Sequence, residues 1–191
     1  MRRRFAERGT RNEGRGTRGK SALVTRHRKE VHMEGYWYKE WAQGRRFVIK
    51  ISPGQTIRGR LQDFARAAGV SNAVIVSAVG SVKNISYRGN KAGARLHITA
   101  PRMHRHQADG PLELLGLEGN LIVDEAGTVD SHLHILAGKS SGEVVGGHLF
   151  DAEVFATCEI LLTEMLVEGI ERHPSRSGGV PTIFIDKEGR S

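Results

Sequence analysis

Cysteine is almost missing from this chain: Cys158 stands alone among 191 residues. One thiol closes no intrachain disulfide, so a reducing, cytoplasmic compartment is expected. Long apolar runs are missing too. None approaches the ~20 residues a membrane helix needs, so no membrane partner is expected. The positive N-terminus lacks the apolar stretch of a secretory signal. No phosphate loop or dinucleotide fingerprint occurs, and Gly80-Ser81 lacks the flanking pattern of a nucleophile elbow. Those absences remove the commonest nucleotide-binding and serine-hydrolase readings.

What the chain does have is charge, placed unevenly. The net charge is +8. Residues 1–32 hold eleven Lys or Arg against three acids, whereas residues 33–191 hold eighteen of each and sum to zero. The high isoelectric point therefore belongs to the first segment. That segment has few large apolar groups beyond Phe5, Leu23 and Val31, too few to offset the entropy of ordering it. It reads as a disordered basic tail, or as an upstream extension ahead of a true start at Met33. As a tail it would contact nucleic-acid phosphates through Arg2, Arg3, Arg4, Arg15, Arg18 and Lys20.

One domain is expected over residues 36–186. Arg45–Ser52 alternates as a strand with Phe47, Ile49 and Ile51 on one face. Pro53-Gly54 turns the chain. Thr56 is a candidate N-cap for a helix carrying Ile57, Leu61, Phe64, Ala65 and Ala68, and Gly69 stops it. Ala73–Val79 reads as a buried strand that continues, or is followed by another, at Val82–Tyr87. Residues 88–110 read as loop, with a strand at Arg95–Thr99. Further strands are expected at Leu112–Val123, Val129–Ala137, Glu143–Leu149, Glu153–Thr163 and Thr182–Ile185. Glycines inside the Leu112–Val123 strand, Gly116 and Gly119, predict a bulge or a close backbone approach. One helix among many strands joined by short turns is an α+β domain with a largely antiparallel sheet.

Three histidines carry the clearest chemistry. His132 and His134 lie two apart in an apolar strand and so share a face, and His148 follows a glycine pair on a neighbouring strand. Imidazole suits zinc, and three nitrogens plus a water make an open site. The alternative is a hydrogen-bonded histidine cluster. His104 and His106 read as solvated loop residues. Cys158, in an apolar strand, reads as a buried inert thiol. Glu159 beside it either pairs across a subunit boundary or faces water. The aromatics Tyr36, Trp37, Tyr38 and Trp41 read as packing at the domain edge rather than as a base-stacking surface.

Four blocks in order resemble a known family: Pro53-Gly54 before the helix with Asp63-Phe64-Ala65; Val79-Gly80-Ser81; Gly110–Asn120; and His132-Leu133-His134 with Gly146–Leu149. Together, over residues 45–165, they resemble the PPC domain, the plant and prokaryote conserved domain. The resemblance implies an α+β fold with one main flanking helix that assembles as a homotrimer. It implies a DNA-associated regulatory role, with a nucleoid location in a prokaryote. It also implies His132, His134 and His148 as metal ligands, and Glu113 as a characteristic acid able to orient a water as acid or base. No AT-hook accompanies the domain here. Gly14–Lys20 lacks the proline, and Arg58-Gly59-Arg60 falls in the first turn of the helix. The DNA-associated regulator is therefore the first functional expectation. A zinc-dependent enzyme or small-molecule binder is the alternative, and a purely structural trimer is the third.

Overall fold

The computed structural model describes residues 35–175 and 178–185. The basic segment 1–32, with its six candidate phosphate contacts, and Met33 lie outside them. Strand β1 (Ala42–Ile51) leads to helix α1 (Ile57–Ala68), then β2 (Ala73–Asn90), β3 (Met103–Ala108), β4 (Leu112–Val123), β5 (Val129–Gly138), β6 (Val144–Leu166), β7 (Ile170–Pro174) and β8 (Pro181–Ile185). The fold is α+β, and its main sheet is antiparallel throughout, with strand order β1-β6-β5-β4-β2-β3.

Strand β6 is long enough, at 23 residues, to pair with β1, β5 and β2. Because β2 also pairs with β4, and β4 with β5, the four strands β2, β4, β5 and β6 close on themselves. Closure gives the sheet an inside. Strand β5 shows the pattern most plainly: Ser131, Leu133, Ile135 and Ala137 are buried, while His132, His134 and Leu136 turn outward. The inner row joins Val82, Leu117, Leu121, Val154 and Ile160 in one core. Helix α1 adds Ile57, Leu61 and Ala65 to that core and packs across β5 and β6.

The helix ends are satisfied by remote residues as well as local ones. Gly69 takes the left-handed conformation (φ 60°, ψ 43°) that closes α1, and Val70 N–H donates to Ala65 C=O at 2.9 Å. Thr56 occupies the N-cap position, but its side chain makes no capping bond. The backbone N–H of Arg58 donates instead to Asp151 Oδ1 on β6 at 3.1 Å. At the other end the Arg45 guanidinium donates to Ala68 C=O at 2.9 Å and Gly69 C=O at 3.3 Å. The same guanidinium forks onto Glu164 at 2.8 and 2.7 Å, which ties α1, β1 and β6 together.

Several expected boundaries move. Ala73–Val79 and Val82–Tyr87 are one strand, and so are Glu143–Leu149 and Glu153–Thr163, bent at register shifts rather than broken. Arg95–Thr99 is not a strand. The strand lies farther on, at Met103–Ala108, where β2 offers a free edge from Ile85 to Asn90. His104 and His106 consequently sit on a strand, still exposed, with the His106 ring stacked 5.1 Å from Tyr87. Gly116 marks a register shift between β4 and β5, and Gly119 a close approach. Glu159 is exposed. Cys158 is buried, and burial with the nearby Glu159 pushes its thiol up to about 11, leaving it inert at neutral pH. Among the described residues no helix is long and apolar enough to cross a membrane.

Candidate metal centre

Strand register assembles the three histidines. His134 on β5 lies opposite His148 on β6, and His148 lies opposite Arg88 on β2. His132 follows the same face two residues along β5, opposite Asn120 on β4. Opposed residues in a sheet point the same way and approach closely, so the rings meet. Their centroids are 5.3 Å (His132–His134), 4.9 Å (His132–His148) and 5.5 Å (His134–His148) apart. One ring nitrogen from each lies within 4.8 Å of the others.

Glycine makes this approach feasible. At Gly147, φ is +156°, and a Cβ would stand 2.5 Å from the Arg88 carbonyl oxygen. At Gly119 a Cβ would collide with the His132 carbonyl. Neither strand could run this close to its neighbour with a side chain there.

The electrostatics favour neutral rings. Burial, with Arg88 and the other two histidines close by, pulls His148 down to about 4. Burial and Arg172 lower His132 from its usual 6.5. At neutral pH these imidazoles therefore keep a lone pair, the form a metal binds. A tetrahedral zinc with bonds of about 2.1 Å wants donors roughly 3.4 Å apart. The three rings therefore suit such an ion after a modest inward tilt.

A second set of groups surrounds the cluster. Arg172, on β7 and only 3% exposed, donates to Asn120 Oδ1 and sits 3.4 Å from His132 Nδ1. Its Nε lies 3.5 Å from Asp130 Oδ2 without forming a hydrogen bond. Asp130 is held by Arg58 of α1 at 2.8 Å. Arg58, Asp130 and Arg172 line, with the histidines and Arg88, one recess of about 390 Å³, whose wall also includes the apolar Ile98, Met103, Val180 and Pro181. The hydrogen bond from Ile98 N–H to Gly178 C=O, 2.9 Å, joins the two parts of that wall.

Glu113 is not brought to the histidines. It is exposed and lies opposite Gly138, four residues along β5 from His134, a separation of about 13 Å at strand rise. The acid inside the recess is Asp130, and the acid in register with His134 is the exposed Glu118. The sequence expectations omit Asp130, although it precedes His132 by two and shares its face. Arg88 and Arg172 carry no local signal, because only register and the return of β7 bring them in.

Residues 38–166 match the model of the Plants and Prokaryotes Conserved (PCC) domain. The chain belongs to that family. The PCC domain here resembles a crystal structure of a plant- and prokaryote-conserved protein from Pyrococcus horikoshii, at 28% identity and TM-score 0.64, covering 74% of this chain and 92% of the other. It also resembles a metal-containing protein from Archaeoglobus fulgidus, at 30% identity and TM-score 0.63, covering 76% and 96%. A curated relative, the bifunctional protein GlmU of Synechococcus sp. (strain JA-3-3Ab), is 28% identical over 142 residues. That alignment takes in 74% of this chain and about a fifth of the relative.

Proposed function

We propose that this PCC domain is a metal-dependent small-molecule binder or enzyme whose centre is His132, His134 and His148, with zinc the favoured ion on ligand type. One observation carries the reading: three ring nitrogens within 4.8 Å of one another, on the wall of a recess of small-molecule size. A zinc ion bound there would polarise a ligand oxygen or lower the pKa of a bound water. The chain's own part is to hold three imidazoles on closed strands and to pair Asp130 with Arg58. In this reading Asp130 takes the acid's place expected of Glu113, so Glu113→Gln leaves metal content unchanged. The metal-containing Archaeoglobus relative supports the same reading.

The test is metal analysis of protein purified without chelator. About one zinc per chain is expected, lost in His132→Ala. Absence of stoichiometric metal in the unmodified protein refutes the centre.

The DNA-associated reading draws less support. Its contacts would be Arg2, Arg3, Arg4, Arg15, Arg18 and Lys20, since residues 33–191 carry no net charge. If it holds, deleting residues 1–32 abolishes DNA binding and its salt dependence. Assembly as a homotrimer is part of the proposal. Val48 on β1 and its register partner Leu161 on β6, with Val79, Leu115 and Leu136, are 46–80% exposed. Large exposed apolar groups of this kind fit a surface covered by further copies. Native mass spectrometry should give three chains, and a monomer would refute it.

A further inference from the structure

The recess holds more positive charge than its own acid can balance. Arg58, Arg88 and Arg172 line it, and Asp130 is the one carboxylate on its wall. Asp130 engages Arg58 at 2.8 Å and only faces Arg172 at 3.5 Å. Arg88 lies over the Phe150 ring at 5.5 Å and has no acid partner among the described residues. Buried guanidinium groups need acceptors. One polar atom beside Asp130 also lacks one: Arg172 Nε, on a residue 3% exposed. The lining also includes the apolar groups Ile98, Met103, Val180 and Pro181.

We propose that the recess binds a small organic oxyanion, a carboxylate or phosphate, with its charged end among Arg58, Arg88 and Arg172 and its apolar body against Ile98, Met103, Val180 and Pro181. Planar guanidinium groups match such oxygens two at a time. The inference deepens the proposed metal centre by naming the class of ligand it acts on. The arginine arrangement itself does not require the ion.

The two sites are coupled through His132. A neutral ring that holds a metal on Nε2 carries its proton on Nδ1 and faces the Arg172 donor. A ring that holds the metal on Nδ1 has no lone pair left there. Either way the 3.4 Å contact between Arg172 and His132 gives up its acceptor. That leaves one more Arg172 N–H for the oxyanion, so anion and metal each tighten the other's binding.

The experiment is calorimetric titration of the full chain with inorganic phosphate and, separately, acetate, at fixed ionic strength. It is run on zinc-loaded and on chelator-treated protein, with zinc content measured for each sample. Saturable 1:1 binding of at least one probe is expected, tighter in the loaded form. Arg88→Gln should weaken it about tenfold at unchanged zinc content, as loss of a charge-assisted contact implies. Arg88→Lys keeps the charge but not the fork and should fall between, which guards against a folding defect in the glutamine variant. Binding that is equal in the unmodified protein and both Arg88 variants overturns the inference, because it then belongs to other basic residues. No saturation by either probe in zinc-loaded protein overturns it while leaving the metal centre standing. Saturation sensitive to Arg88 in a protein that takes up no zinc upholds it and removes the metal centre instead. Which probe binds distinguishes carboxylate from phosphate.

Discussion

Gly147→Ala offers the most direct check on how the histidine cluster is built. Gly147 sits at φ +156°, a backbone region that side chains rarely enter. The added Cβ would meet the Arg88 carbonyl oxygen at 2.5 Å and the Tyr87 ring at 3.2 Å. The carbonyl belongs to β2 backbone, which at Arg88 is paired to β6 on one edge and to β3 on the other, so it cannot simply swing away. Backbone strain of this kind costs about 1–3 kcal/mol, and forcing an extra group into packed structure costs about 1–3 kcal/mol more. A total near 3 kcal/mol lowers the thermal midpoint by roughly 6–12 °C for a domain of this size. Relief requires β6 to separate from β2 beside His148, which carries that ring away from His132 and His134. Urea unfolding followed by far-ultraviolet circular dichroism measures the first effect, and zinc content measures the second. A loss below about 0.5 kcal/mol, the scale of an ordinary surface substitution, with full zinc retained, would refute the close-approach argument.

Glu164→Gln breaks the fork from Arg45, which holds the carboxyl near 2 instead of its usual 4.5. The depressed value means stability present above pH 4.5 and lost as pH falls toward 2, so the variant should be weaker at pH 7 and equal at pH 2. A uniform loss at both pH values counts against the ion pair. In metal-free protein, His148 near 4 means that the unfolded chain takes its proton first. Stability should then fall between pH 6.5 and 4, by about 1–2 kcal/mol after allowing for partial solvent exposure. His148→Asn should flatten that limb, and an unchanged slope disproves the assignment. Chelating the metal should lower the melting temperature, by an amount that grows with the free zinc used for comparison, because only the folded state presents all three rings. Identical melting with and without chelator counts against binding. Leu133→Ala, at a fully buried core position, should cost about 2–5 kcal/mol by urea titration, and a near-neutral result would mean that β5 faces the other way.

Much of the fold was legible because its signals are local. Alternation in Val129–Ala137 puts His132 and His134 on one face, and the structure agrees, with Leu133 and Ile135 buried on the other. The helical spacing from Ile57 to Ala68 and the stop at Gly69 are local too. The Arg95–Thr99 expectation failed because a short polar stretch has no preference strong enough to outweigh pairing elsewhere. Of the two readings left open for Ala73–Tyr87 the continuous one holds, whereas the break expected between Leu149 and Glu153 is absent, because β6 runs through it and bends at register shifts. Gly80 and Gly147 let these strands approach closely.

The chain alone determined which residues alternate, where the helix stops, and that three imidazoles lie on two neighbouring strands, since each of these depends on residues a few positions apart. Tertiary structure decided what surrounds them. Arg88 is 60 residues from its opposite His148, and Arg172 is 40 from His132, so no sequence period links them. Only the pairing of β6 with both β5 and β2, and the return of β7, place guanidinium groups beside imidazoles. The charge of the recess is thus a property of strand register, and register is set by how the whole core packs.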